Sequence, residues 1–77
     1  MTRAYVLIKA RAGQSLDVAK AVGKIGGVKS AHACWGQPDI FAFVEAADEK
    51  TLANLVLSKI QAVDGVVETD THIVIEG

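Results

Sequence analysis

The chain is poor in the devices that staple small proteins. Its 77 residues include a single cysteine, Cys34, so no intrachain disulfide can form. Cys34, His32 and His72 are scattered and lack the paired ligand spacing of a structural zinc site, so neither a metal nor a cofactor is expected. An excess of charge of one sign is also missing. Eight Lys and Arg stand against nine Asp and Glu, which leaves no electrostatic footprint for nucleic acid or acidic lipid. The apolar runs are far too short to span a bilayer, and the N-terminus enters a strand pattern without a signal-peptide signature. The expectation is a soluble cytoplasmic protein. Proline and tryptophan occur once each, both in the stretch Trp35-Gly36-Gln37-Pro38-Asp39-Ile40.

What is present is a regular alternation of short apolar segments. Tyr5 to Ala10 reads as a first strand, and Arg11-Ala12-Gly13-Gln14 breaks it. Ser15 is placed to cap a helix over Leu16 to Ile25, with Val18, Ala21, Val22 and Ile25 at helical spacing. Gly26-Gly27 ends that helix. Val28 to Trp35 and Ile40 to Glu45 carry strand residues on either side of Trp35–Ile40, which predicts a hairpin with Pro38 at the first central position of a type I turn. Asp48 caps a second helix with the stripe Leu52, Leu55, Val56, Ile60 and Val63. After Asp64-Gly65, Val66 to Glu76 is the last strand, with Thr69, Thr71, Ile73 and Ile75 on one face and Glu68, Asp70, His72 and Val74 on the other.

The order is βαββαβ, with a weak internal repeat: Ile25-Gly26-Gly27-Val28 parallels Val63-Asp64-Gly65-Val66. Right-handed crossovers place both helices on one face of a four-stranded antiparallel sheet, the ferredoxin-like α+β arrangement in a single domain. The other face decides the next step. Tyr5 to Ala10 has Lys9 as its only charge and Ile40 to Val44 has none, so the uncovered face is also apolar. A core of this size rarely supplies more than about 3–5 kcal/mol unaided. Together these predict a homodimer in which two sheets meet face to face.

The residues give little support to catalysis. His32 and Cys34 share a strand face but have no visible activating partner, and Glu45, Glu68, Asp70 and Glu76 form no fixed acid/base pair. Gly23, Gly26 and Gly27 sit at a helix end, so they make no phosphate cradle. Binding asks less. A free amino acid needs acceptors for its ammonium and donors for its carboxylate. Gly36 and Asp39 could supply one set and Thr69 and Thr71 another, although Thr is also simply a good strand residue. Trp35 walls a pocket or plugs an interface.

The order βαββαβ, the helix-ending Gly27-Val28, the turn Gly36-Gln37-Pro38-Asp39 and the closing Gly65-Val66-Val67-Glu68-Thr69-Asp70-Thr71 together resemble the C-terminal effector-binding (RAM) domain of the Lrp/AsnC transcription regulators. The resemblance covers essentially the whole chain. It implies a dimeric α/β sandwich that assembles further, into octameric or decameric rings, with amino acids bound where dimers meet. Carried onto this chain it implies contacts from Gly36, Gln37 and Asp39 of the turn and Thr69 and Thr71 of the last strand, from different subunits. Pro38 departs from the aromatic or bulky residue common there. The chain starts at the first strand of the effector domain, so it resembles the stand-alone members without a helix-turn-helix. The resemblance then implies no direct binding of nucleic acid, and action through full-length Lrp/AsnC regulators.

Three other readings compete. A small dimeric α/β-barrel enzyme such as a monooxygenase shares the topology. It would need His32, His72 or Trp35 in an enclosed pocket. A ligand-free assembly unit would return nothing from an amino-acid screen. The ACT domain, another amino-acid-sensing βαββαβ module, is matched poorly by Arg11-Ala12-Gly13-Gln14.

Overall fold

Alternation along the first strand sets the two faces of the sheet. Ala4, Val6, Ile8 and Ala10 are buried while Tyr5 and Lys9 between them are exposed, the period of two that a strand imposes. In the computed structural model, which describes residues 1–75, this strand is β1 (Thr2–Ala10). It lies inside an antiparallel sheet of order β2-β3-β1-β4, with β2 at Val28–Ala33, β3 at Ile40–Ala46 and β4 at Val66–Ile73. The crossovers are α1 (Ser15–Gly23) and α2 (Glu49–Leu55). The expected βαββαβ order and ferredoxin-like arrangement are what forms. Val18, Ala19 and Val22 of α1 join Leu52, Val56 and Ile60 in one core with Ala4, Val6, Ile8, Ile40, Ala42 and Val44, so both helices cover the same face.

Boundaries differ from the sequence reading in instructive ways. β1 starts at Thr2 rather than Tyr5, because Thr2 and Arg3 still find partners in Ala46 and Glu45. β2 stops at Ala33, two residues before Trp35. The buried stripe of α1 includes Ala19, with Ala21 exposed, a rotation that the spacing did not resolve. Beyond α2 the helix widens over Val56–Ile60, where Gln61 N–H reaches back five residues to the Val56 carbonyl at 2.9 Å. β4 ends at Ile73, and the expected end at Glu76 lies outside the described residues. The Gln37–Pro38 peptide is cis, so the turn is not the type I turn expected from Pro38.

The internal repeat is real in backbone terms. Val28 N–H bonds to the Ile25 carbonyl at 3.1 Å and Val66 N–H to the Val63 carbonyl at 3.2 Å, closing two equivalent turns. Each turn has a glycine of positive φ in its third place, Gly27 at 97° and Gly65 at 99°. At Gly65 a Cβ would also meet the Val18 side chain at 2.7 Å, inside the core.

On the face away from the helices, register places Tyr5 beside Phe43 and Leu7 beside Phe41, a contiguous block of four apolar side chains. The Tyr5 and Phe43 ring centroids are 5.0 Å apart. Tyr5 remains 50% exposed and Phe41 41%. His32 lies beyond Phe41, and Glu68, Asp70 and His72 border the opposite side, against Lys9, Leu7 and Tyr5. The apolar uncovered face expected from the sequence is therefore present.

Gly65→Ala is expected to cost about 1–3 kcal/mol from the backbone conformation alone, with the clash added to it. Gly26→Ala in the matching turn, where φ is not positive and open space surrounds the site, is expected to be tolerated. Paired urea melts check the contrast, and equal stability of the two variants would refute it.

Candidate functional site

The site grows from the place where β1 and β3 stop pairing. Their last backbone pair is Ile8 with Ile40, so the next rung would set Ala10 against Pro38. The Asp39 side chain takes over instead. Its Oδ1 accepts the Ala10 N–H at 3.0 Å, and its Oδ2 accepts the Ser15 hydroxyl at the start of α1. The Asp39 carbonyl in turn accepts the Cys34 N–H at 2.7 Å and closes the hairpin. One residue thus ties the end of β1, the start of α1 and both sides of the β2–β3 turn.

Asp39 is buried, at 8% exposure, the only buried charged residue among those described. Burial alone pushes its carboxyl up. The hydrogen bonds from Ser15 and Ala10, and the Lys9 charge, outweigh that and hold it below its ordinary value of 3.8. Ser15 was expected to cap α1. The cap position is Gln14 and makes no side-chain bond, while Ser15 is the first helical residue and spends its hydroxyl on Asp39. Asp48 does cap α2 as expected, accepting from Thr51 N–H at 2.7 Å.

Above this knot opens a cleft of about 650 Å3, within the usual range for small-molecule sites. Gly36, Gln37 and Asp39 line it together with Trp35, Cys34, Ala33, Lys9, Ala10, Ala12, Ser15 and Leu16. Gly36 has φ of 101° with open space where a side chain would be, so its need for glycine is conformational and its backbone lies bare. Trp35 and Leu16 project into solvent at the rim.

The five expected contact residues do not converge in one protomer. Gly36, Gln37 and Asp39 share the cleft. Gln37 and Thr69 border a second hollow of about 330 Å3 with Leu7, Lys9, Pro38, Glu68 and Asp70. Thr69 and Thr71 line a third, of about 390 Å3, between α2 and β4, where Gln61 Nε2 donates to Thr69 Oγ1 at 2.9 Å. Register explains the split. Thr69 and Thr71 pair with Ile8 and Val6 and so lie on the helix side of the sheet at its edge. Lys9, Ser15 and Leu16, which line the cleft, were not among the expected residues, and the contact that places Ser15 against Asp39 spans 24 residues of sequence.

The depressed carboxyl carries a sign. Asp39 contributes stability that is complete above its unfolded value near 3.8 and is lost as pH falls through its lower folded value. Thermal melts between pH 2 and 7 are expected to show this acid limb in the wild type. In Asp39→Asn they are expected to show a lower plateau at neutral pH and a flattened limb. An unchanged limb in the variant would exclude Asp39 as its source.

Comparison with known proteins agrees with the fold. Residues 3–77 match the Lrp/AsnC ligand binding domain. An uncharacterized HTH-type transcriptional regulator of Pyrococcus furiosus, PF0250, is 33% identical over 75 residues, covering 94% of this chain and 50% of its own. The chain thus spans about half the length of that curated relative. Among solved structures, TTHA0845 of Thermus thermophilus superposes with a TM-score of 0.92 at 26% identity, covering 100% of this chain and 96% of its own. The Neisseria meningitidis transcriptional regulator NMB0573, solved as an L-Met complex, has a TM-score of 0.84 at 22% identity and covers 97% of this chain and 50% of its own, a likeness of fold. With the βαββαβ sheet, the match over residues 3–77 places this chain in the Lrp/AsnC ligand binding domain family.

Proposed function

We propose that this chain is a small-molecule-binding regulatory and assembly module of Lrp/AsnC type, that its ligand is a free amino acid, and that the ligand sits in the cleft beside the Gly36–Asp39 turn. The observation that carries the reading is that cleft: about 650 Å3, walled by apolar side chains and floored by a fixed polar knot at Asp39. Thr69 and Thr71 enter the binding site from a neighbouring copy, since in their own protomer they line a different hollow. The module acts through full-length regulators, which places it in the cytoplasm. Its net charge of −1 gives these residues no electrostatic reason to bind nucleic acid themselves.

The assembly half of the reading rests on the open face of the sheet. Covering the exposed half of an aromatic ring removes roughly 100 Å2 from water, worth about 2.5 kcal/mol. Tyr5, Leu7, Phe41 and Phe43 together therefore favour a homodimer through this face, and dimers stack into rings. The Phe43→Asp variant is expected to sediment as a monomer where the wild type sediments as a dimer or larger. A monomeric wild type at micromolar concentration would end the assembly proposal.

The ligand half is checked by differential scanning fluorimetry against the twenty common amino acids. A ligand at a hundredfold over its Kd stabilises by about 2.7 kcal/mol, a rise of order 10 °C in Tm for a domain of this size. One or a few amino acids are expected to give such a rise, reduced in Asp39→Ala and Thr69→Ala. A flat response to all twenty would leave a ligand-free assembly unit.

A further inference from the structure

Two surface features are unaccounted for by the cleft and the open sheet face. The first is Trp35, the chain's sole tryptophan, which lies just past the end of β2 with its whole side chain in solvent. It borders its own cleft from the rim without being buried in it. A tryptophan brings roughly 150–250 Å2 of surface to any contact that buries it, so an indole left in water withholds a large contribution.

The second feature stands at the other edge of the sheet. β2 is one edge and β4 the other, and between α2 and β4 lies the hollow of about 390 Å3. Ala53, Val56, Leu57 and Ile73 give it apolar walls, yet Leu57 is 62% exposed and Ile73 43%. The widened helical turn begins with Val56 and Leu57 and so forms part of this hollow, a distortion frequent at functional sites. A buried indole needs an acceptor for its N–H. Glu49, Thr69 and Thr71 supply acceptors here, whereas both Asp39 oxygens in the cleft already accept hydrogen bonds.

Resting on the reading of Thr69 and Thr71 as a neighbouring copy's contribution to the cleft, we propose that Trp35 of one copy docks into the α2–β4 hollow of the next. Knob and hollow lie on different surfaces of the chain, so the contact is head-to-tail and repeats from copy to copy. It sets the cleft rim of one copy against Thr69 and Thr71 of its neighbour. One insertion falls well below the about 800 Å2 per partner of a stable interface. It therefore joins dimers already held through the open sheet face, and not lone protomers.

The test uses sedimentation and Trp35 emission, without ligand. Raising the wild-type concentration from nanomolar to micromolar is expected to shift the emission to the blue as dimers pass into larger species. Trp35→Ala is expected to weaken that step by at least about tenfold and to leave the dimer intact. Leu57→Arg, which obstructs the hollow from a side chain that is already exposed, is expected to lose the blue shift with an unchanged circular dichroism spectrum. The two variants are then mixed. Trp35→Ala is silent in emission and keeps its hollow, so the emission of Leu57→Arg is expected to move to the blue as Trp35→Ala is added. A blue shift in Leu57→Arg alone, no shift in the mixture, or wild-type assembly by Trp35→Ala would overturn the inference. If Thr69→Ala still lowers the response to amino acids in that event, the threonines arrive through another contact and the reading of the cleft stands. A wild type that remains dimeric throughout and responds to no amino acid would remove both.

Discussion

The carboxylate of Asp39 is the constraint on which the functional end of the molecule depends. A buried charge is costly unless it is hydrogen-bonded, and here the partners come from two other elements: the last residue of β1 and the first of α1. The bond to Ala10 extends the β1–β3 ladder one rung beyond Ile8 and Ile40, through a side chain in place of backbone. The bond to Ser15 sets where α1 begins. Losing the carboxylate would leave the Ala10 N–H without its acceptor and loosen the turn, the helix start and the strand end together. The cleft has these three segments for its walls, so its shape follows from a bond that the ligand need not touch.

The second constraint is size. Seventy-seven residues with two short helices can cover one face of a four-stranded sheet and no more. The chain nevertheless places Tyr5, Leu7, Phe41 and Phe43 on the other face, at positions where a solvated sheet would carry polar side chains. The polar residues are displaced to the margin, with His32 on one side and Glu68, Asp70 and His72 on the other. His72 Nε2 and Asp70 Oδ2 lie 3.0 Å apart there. An apolar centre with a polar rim is the anatomy of an interface, which is what the proposed homodimer requires of this face.

The fold was legible because its signals are local. Gly27 and Gly65, each followed by valine, mark the two helix-to-strand turns, and the structure gives them nearly the same φ. Alternation in β1 and the Leu52, Val56, Ile60 stripe needed no tertiary knowledge. The cis Gln37–Pro38 peptide and the wide turn at Val56–Ile60 left no such mark, since the same residues are compatible with ordinary alternatives. The candidate site was legible only as two separate sequence segments. Gly36, Gln37 and Asp39 come from one turn and do share a cleft, and Thr69 and Thr71 come from one strand and do share a hollow. What joins or separates the segments is register and sheet order, and these put β4 at the edge, with the two threonines turned to the helix side. The commitment of Ser15 to Asp39 was equally hidden, because a serine before an apolar helical stripe reads as a cap.

The division of the candidate contact residues among three hollows has a thermodynamic consequence for the proposed regulation. Suppose an amino acid binds to the turn of one copy and to Thr69 and Thr71 of another. It then binds the assembly more tightly than the separate parts, and mass action draws the chain toward the assembled state. Linkage makes this reciprocal: whatever factor the ligand adds to the association constant, association adds to the affinity for ligand. A cleft complete within one protomer would bind its ligand without any such coupling, however tightly. The open cleft at the turn and the exposed edge of β4 therefore suit a sensor whose output is its own state of association, and the buried Asp39 knot suits a receiving surface that keeps its shape before the partner arrives.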